Sequence, residues 1–212
     1  MNTILQITKL EPELIEEIKS SFGSLPETNH ADGKYRLRKY SYVEVDVSAG
    51  ENVRVTDLCL GEFAQSKKYN KHQGDKVRKF ENIDESVIQS KAFATMVESF
   101  YKACSLPRNF QMDVHQMRVK CTGGATQLSP EGWHQDGYDC VAMIGINRNN
   151  IIGGEALLST HKTQEPFLRA TLDAGTMLII DDSYLWHNGR SIQPVDDSFS
   201  AWMDLLVFTL KK

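Results

Sequence analysis

The sequence of 212 residues contains few cysteines and no closely spaced pair of them. Its four cysteines are scattered along the chain: Cys59, Cys104, Cys121 and Cys140. Without neighbouring thiols, neither a zinc site built from thiolates nor a small scaffold held by disulfides is expected. We therefore predict free thiols and a reducing, cytoplasmic location.

Long apolar runs and clusters of basic residues are also missing. No stretch is long enough to cross a bilayer, and the first residues lack the basic and apolar pattern of a secretory signal. The net charge is -4, and basic residues concentrate only at Lys67-Lys68 and within 76–79. These short runs predict a solvated surface or contact with a small anion. Neither a nucleic acid nor a membrane is an expected partner, and the oligomeric state stays open.

The apolar content of 41% is typical of a soluble globular protein, and we expect a single domain over 1–212. Apolar residues recur at helical spacing in two segments, 11–23 and 85–104. Strand-like stretches follow a different pattern, short and separated by turn formers. They are 35–45, 111–120, 139–147, 154–160, 167–172, 175–181 and 202–210. The predicted organisation is a helical N-terminal part, 1–105, and a strand-rich core, 106–212, folded as an antiparallel sandwich or barrel.

The stretch WHQDGYD, 133–139, raises the possibility of a metal site. In an extended segment, His134 and Asp136 point to the same side, because side chains two residues apart share a face. His187 follows a buried aliphatic strand and supplies a third candidate ligand, with His115 and His161 as alternatives. Two imidazoles and one carboxylate form the ligand set of non-haem Fe(II) oxygenases. The competing interpretation is an ordinary polar turn, with His134 and His187 far apart in space.

Several motifs together resemble those of the Fe(II)/2-oxoglutarate-dependent dioxygenases. Within that family, the resemblance is to the small bacterial free amino-acid hydroxylases of the L-isoleucine hydroxylase type. The motifs are WHQD (133–136), GGEALL (153–158), DDSYLWHNGRSIQP (181–194), HQMRVK (115–120), QSKKYNKHQGDKVRKF (65–80) and AWMDLLVFTL (201–210).

The resemblance implies a mainly β fold with flanking helices, a double-stranded β-helix of the cupin-like, jelly-roll kind. It implies Fe(II) held by His134, Asp136 and His187, with 2-oxoglutarate as co-substrate. The implied reaction hydroxylates an unactivated C–H bond of a free L-amino acid or a similar small metabolite, while O2 is consumed and 2-oxoglutarate gives succinate and CO2.

One position departs from the family pattern. The family has an arginine in the closing strand that pairs with the distal carboxylate of 2-oxoglutarate, whereas the matching residue here is Met203. A thioether cannot form that bidentate ion pair. We consider Arg118 and Arg190 as the replacement cation.

An amino-acid substrate needs a cation for its carboxylate and an acceptor for its ammonium group. Polar residues of 35–45 and of 65–80, a segment that we predict to be a lid, can supply them. Tyr138 follows the proposed ligands closely. The candidate substrate-binding residues are Arg36, Arg38, Tyr40, Gln65, Asn70, Arg78 and Tyr138.

Two other functions remain open from the sequence. One is a non-haem iron oxygenase of the same fold that does not use 2-oxoglutarate, and the other is a non-catalytic jelly-roll binding module. The sequence does not identify the substrate, the oxidised carbon, or the outcome among hydroxylation, desaturation and ring closure.

Overall fold

The structure, a computed structural model, describes residues 3–49, 52–69 and 74–211. Its largest element is a sheet of seven strands in the order β1-β11-β7-β14-β6-β2-β3, with antiparallel pairing throughout. The strands are β1 (Leu5–Lys9), β2 (Arg36–Val47), β3 (Val53–Asp57), β6 (Asn109–Lys120), β7 (Cys140–Asn149), β11 (Thr176–Asp181) and β14 (Trp202–Leu210).

Smaller sheets complete the fold. A three-stranded sheet has the order β10-β9-β12, and two pairs, β13-β8 and β4-β5, accompany it. The strands are β4 (Glu62–Phe63), β5 (Arg78–Lys79), β8 (Ile151–Gly153), β9 (Glu155–Ser159), β10 (Leu168–Thr171), β12 (Trp186–Gly189) and β13 (Ile192–Pro194). The predicted mainly β jelly roll with flanking helices is confirmed.

The helices are α1 (Pro12–Lys19), which continues as a 3-10 turn over Ser20–Ser24, α2 (Glu85–Ile88) and α3 (Lys91–Ala103). The prediction of one helix over 85–104 is wrong in one respect, because the chain breaks between α2 and α3. Ser90 causes the break: its backbone is extended, and its hydroxyl accepts a hydrogen bond from the amide of Phe93 at 3.0 Å as the N-cap of α3. None of the helices within the described ranges is long and apolar enough to span a membrane.

The two faces of the large sheet pack against different partners. On the outer face, Phe208 is fully buried between Phe93 and Phe100 of α3, with ring centroids 5.4 and 5.9 Å away. On the inner face, Leu178, Met203 and other residues pack with the buried side chains of β9. The alternation of side chains along each strand separates these two cores, and the site described below lies against the inner face.

Each of the seven predicted strands agrees with an observed strand within two residues at each end, whereas β8, β12 and β13 were not predicted. The N-terminal part is less helical than predicted. Three of its strands, β1, β2 and β3, belong to the large sheet, and the sequence pattern indicated only β2.

Candidate metal centre and ligand cavity

His134, Asp136 and His187 come together on the inner side of the fold. The two histidines form an isolated antiparallel bridge, in which each amide donates to the other carbonyl at 3.0 and 2.9 Å. His134 Nε2 lies 3.7 Å from Asp136 Oδ1, and His187 Nε2 lies 3.4 Å from Asp136 Oδ2. One candidate ligand atom from each residue lies within 4.8 Å of the others, a spacing that could hold a metal ion. The interpretation that the histidines are far apart is wrong.

Second contacts fix how each imidazole is oriented. His134 Nδ1 donates to the carbonyl of Gly132 at 2.8 Å, which leaves Nε2 without a proton and directed at Asp136. His187 Nδ1 faces Asp182 Oδ1 at 3.4 Å while its Nε2 faces Asp136. Both rings therefore present Nε2 to the same point, the arrangement that metal-binding histidines adopt when the other nitrogen is occupied.

Asp182 connects the two parts of this site. Its fully buried carboxylate accepts hydrogen bonds from three successive amides, those of Asp136 at 3.0 Å, Gly137 at 2.8 Å and Tyr138 at 3.1 Å. The same carboxylate faces His187. The sequence offered a weak signal for this role, an acidic pair directly before the candidate histidine, but sequence reasoning did not assign it.

In the metal-free site, burial and neighbouring charges shift the pKa values of all three residues. Burial by itself raises the pKa of the Asp136 carboxyl, but the hydrogen bond from His187 and the charges of both histidines lower it below the ordinary range. Burial opposes protonation of His187, yet the carboxylates of Asp136 and Asp182 raise its pKa to about 10. Burial and then the charge of His187 lower the pKa of His134. The surroundings thus favour a proton on His187 and disfavour one on His134.

Gln65 and Tyr69, from the segment predicted to be a lid, contact the site. The Gln65 side-chain amide donates to Asp136 Oδ1 at 3.1 Å and to the Asp136 carbonyl at 3.0 Å. The ring of Tyr69 lies on Gly137, where an added Cβ would meet ring atoms at 2.4 Å. Gln65, predicted as a substrate residue, therefore holds a candidate metal ligand, and Tyr69 was not found from the sequence. Asn70, another predicted substrate residue, lies outside the described residues.

A cavity of about 170 Å³ opens beside the three residues, and arginines line one of its walls. Arg36 pairs with Asp32 at 3.2 Å and donates to the carbonyl of Leu128. Arg38 and Arg78 contribute cation–π contacts, Arg38 over Phe80 and Arg78 over Phe63, both with centroid distances near 5 Å. Over the described part of the chain, neither of these two guanidinium groups has an ion-pair partner.

The burial and positive charge of this arginine wall lower the pKa values of several of its residues. Burial, followed by the charges of Arg36 and Arg78, lowers the pKa of Arg38 to about 9. Burial also lowers the pKa of Arg78 and, together with Arg38 and Arg78, that of His115. His115 lines the cavity as a neutral side chain. An anion in the cavity would compensate the positive charge of this wall.

Tyr40 and Tyr138 share a buried acid. The Tyr40 hydroxyl donates to Asp113 Oδ1 at 2.5 Å, and the charge of Asp113 also acts on the Tyr138 hydroxyl. Burial raises the pKa of Asp113 and of both tyrosines. Tyr138 lines the cavity, whereas Tyr40 lies beside His115 on the neighbouring strand, with tilted rings whose centroids are 5.1 Å apart. Tyr40 thus supports the wall rather than forming it.

The structure brings neither arginine that was considered for the co-substrate to the cavity. Arg118 lies on the outer face, bound to Asp204 through Nε at 2.7 Å and Nη2 at 2.8 Å. Arg190 is largely exposed, 3.6 Å from Glu155. Neither belongs to the cavity lining in the described ranges. His161 is also outside the site, in an exposed turn with Thr160 and Gln164.

Comparison with known proteins agrees with this geometry. The 3(1)-hydroxy-L-isoleucine 4-dioxygenase of Pantoea ananatis (strain AJ13355) is 22% identical, over 93% of this chain and 81% of that protein. A bsmA homologue from Methylobium petroleophilum PM1 has the same fold, with a TM-score of 0.78, 23% identity and coverage of 99% and 89% of the two chains. IDO from Bacillus thuringiensis also has this fold. Its TM-score is 0.74 and its identity 18%, over 96% of this chain and 89% of that chain. Residues 19–209 match the family described as 2OG-Fe dioxygenase, and the chain therefore belongs to that family.

Proposed function

We propose that this dioxygenase hydroxylates a free L-amino acid or a similar small anionic metabolite, with Fe(II) bound by His134, Asp136 and His187. The observation that carries the proposal is the grouping of these three residues at a cavity with an arginine-lined wall. Family membership supplies Fe(II), 2-oxoglutarate and O2 as the reaction partners. It favours this enzyme over an oxygenase that does not use 2-oxoglutarate and over a binding module without activity.

The residues fit Fe(II) by their chemistry. Two imidazole nitrogens and one carboxylate oxygen on one side of a metal suit Fe(II) and leave other positions open for a chelating co-substrate and O2. When bound, the iron and 2-oxoglutarate supply the oxidising power for a C–H bond. The protein aims Nε2 of both histidines through Gly132 and Asp182, and it fixes the Asp136 carboxylate through Gln65.

The arginine wall supports an anionic substrate. Arg38 and Arg78 are buried guanidinium groups that a substrate carboxylate can bridge, and charge-assisted pairs of this kind give strong, oriented binding. Arg36 lines the same wall, and Glu131, also in the lining, is a suitable acceptor for an ammonium group. The Pantoea ananatis relative is named as a dioxygenase of a hydroxylated L-isoleucine, which supports an amino acid as the substrate here. Tyr138 and Asn70 remain proposed substrate contacts.

A screen of free L-amino acids tests the proposal. The purified protein is incubated with Fe(II), 2-oxoglutarate and ascorbate, and mass spectrometry detects a product that has gained one oxygen atom together with succinate. We expect one amino acid or a small group to react. A protein that releases no succinate with any of them would contradict the amino-acid substrate.

Variants at the centre test the ligand assignment separately. Asp136→Ala is expected to lose bound iron and all turnover, since two imidazoles alone hold the metal weakly. His161→Ala removes an exposed histidine away from the site and serves as the matched control. An Asp136→Ala protein that keeps stoichiometric iron would remove Asp136 from the ligand set.

The four cysteines are free thiols, which supports a reducing, cytoplasmic location as part of the proposal.

A further inference from the structure

We infer that Arg148 of β7 binds the distal carboxylate of 2-oxoglutarate and replaces the cation that the closing strand lacks at Met203; this rests on the proposed function. 2-Oxoglutarate is a dianion. With its 2-oxo acid end at the metal, the far carboxylate would lie in the part of the cavity lined by Met203 and Leu205, which is apolar. There it needs a positive partner, since an unpaired buried carboxylate is very costly.

The strand register places Arg148 next to Met203 on the cavity side. Along β14 and β7, Leu205 pairs with Gly145 and Met203 pairs with Arg148, with a register shift between Asp204 and Leu205. Directly opposed residues of neighbouring strands share a face, and Met203 and Leu205 both line the cavity. The shift inserts one extra residue into β7, a β-bulge. Without it, Arg148 would point to the outer face.

The guanidinium group lies directly behind the cavity wall. Nη2 donates to the carbonyl of Gly153 at 2.6 Å, and Nε lies 3.5 Å from Asp173 Oδ1. Among the described residues, the acceptor nearest to Nη1 is the sulfur of Met203 at 3.8 Å, and a thioether is a weak acceptor. Its hydrogens are therefore available for a stronger acceptor.

Gly154 brings the cavity lining close to this group. The residue lines the cavity with φ +77°, and a Cβ built on it would lie 2.9 Å from Ile192 Cγ2, 3.0 Å from Arg148 Nη1 and 3.1 Å from Met203 Sδ. A side chain here would collide with all three, so only a glycine lets the lining come this close to the guanidinium. A carboxylate in the cavity beside Gly154 would therefore lie near Nη1.

The other arginines near the site are paired with largely buried carboxylates or lie elsewhere, whereas the ion-pair partner of Arg148, Asp173, is exposed. Arg118 is paired with Asp204 on the opposite face of the sheet. Arg36 is paired with Asp32, Arg38 lies on β2, which β6 separates from the strand of Met203, and Arg78 packs over Phe63. Arg148 is next to Met203 itself, in the adjacent strand.

Equilibrium binding of two 2-oxo acids tests the inference without turnover. Anaerobic Fe(II) protein is titrated with 2-oxoglutarate and with 2-oxopentanoate, which has the same chain but no distal carboxylate, and the charge-transfer absorption of the chelate is followed. In Arg148→Met, we expect 2-oxoglutarate to bind about 10- to 100-fold more weakly, the loss of a charged hydrogen bond, with 2-oxopentanoate almost unchanged. Arg169→Met, at an exposed arginine of β10, is the matched control.

A swapped variant guards against a simple structural effect. Arg148→Met combined with Met203→Arg moves the guanidinium to the neighbouring strand and is expected to recover the preference for 2-oxoglutarate. Equal weakening of both acids, or a selective loss in Arg36→Met instead of Arg148→Met, would overturn the role of Arg148. Failure of the unaltered Fe(II) protein to bind either acid would contradict the proposed function itself.

Discussion

The main chains of His134 and His187 exchange a pair of hydrogen bonds, at 3.0 and 2.9 Å, although the two residues are distant in the sequence. This bridge fixes the separation of the two imidazoles, whose centroids are 4.2 Å apart. The geometry of the metal centre is therefore set by the backbone, and the side chains need only the correct rotamers. Perturbations of the surrounding hydrogen bonds should affect metal affinity before they affect the fold.

Asp182→Asn tests the buried carboxylate that joins the two parts of the centre. The asparagine side chain has the same shape as the carboxylate, but its NH2 group replaces one acceptor oxygen. That NH2 group would face other donors, either the backbone amide of Asp136 and His187 or the backbone amides of Gly137 and Tyr138. We expect metal affinity to fall about 10- to 100-fold, measured by competition with a chelator. Asp181→Asn is the control, because the side chain of Asp181 accepts hydrogen bonds from the amide and hydroxyl of Ser183 and so caps that turn. Equal metal affinities in the two variants would show that Asp182 does not position the candidate ligands.

Gly137→Ala tests the contact with Tyr69. Gly124 has a similar positive φ of +93°, against +88° at Gly137, but an added Cβ there meets nothing within 4 Å. Gly124→Ala should cost only the backbone penalty, about 1–2 kcal/mol of unfolding free energy. Gly137→Ala should cost about 1–3 kcal/mol more, from overpacking against Tyr69, and should also raise the KM for substrate. Denaturant unfolding and steady-state kinetics measure the two effects, and equal losses of stability would exclude the close contact.

Arg38→Met separates substrate binding from stability. Removing a buried guanidinium without an ion-pair partner among the described residues should leave the ligand-free protein equally or more stable. The KM for an anionic substrate should rise about 10- to 100-fold as a charged hydrogen bond is lost. Thermal unfolding and kinetics are compared with Arg169→Met. A lower Tm with unchanged KM would show that Arg38 serves the fold through its contact with Phe80.

The pKa of His187 predicts that metal binding depends on pH. The metal-free site holds a proton on His187 because its pKa is raised to about 10, whereas a metal needs the neutral imidazole. Binding at pH 7 should therefore release about one proton, and apparent affinity should rise up to about tenfold per pH unit below pH 10. Calorimetry of Mn(II) binding in buffers of different ionisation enthalpy counts the protons, and no release would contradict the charged state of His187.

The same shift affects the stability of the metal-free protein. The folded-state pKa of His187 lies above the ordinary value of 6.5, so the stabilisation it gives is complete below pH 6.5. That stabilisation is lost as the pH rises through about 10. The unfolding free energy of the metal-free protein should thus decrease over this range more than that of the metal-loaded protein.

The parts of the fold that could be predicted from the sequence were those with strong local patterns. The aliphatic strand Thr176–Asp181 and the alternating strand Asn109–Lys120 are long, apolar on at least one face, and bounded by turn formers. Strands β1 and β12 are short and mixed in character, and they exist because a partner strand is available. Such strands depend on tertiary pairing, which a local pattern does not contain.

The same limit applies to the site. His134 and Asp136 are close in sequence, and the emergence of His187 from a buried strand was a usable signal. The structure brings all three together, although their role as ligands stays a prediction. Arg118 has the favourable strand position that suggested a binding role, but its face is set by the pairing with Asp204. Arg148 points inward because of the β-bulge in β7, which the residue pattern does not predict.

The large sheet separates two tasks that many enzymes combine. Phe93, Phe100 and Phe208 stabilise the fold on its outer face, while the inward side chains of the same strands shape the cavity. Exchanges among inward residues such as Met117 and Val207 therefore leave the aromatic packing untouched. The protein should accept repeated rounds of laboratory selection for new substrates with little cumulative loss of thermal tolerance.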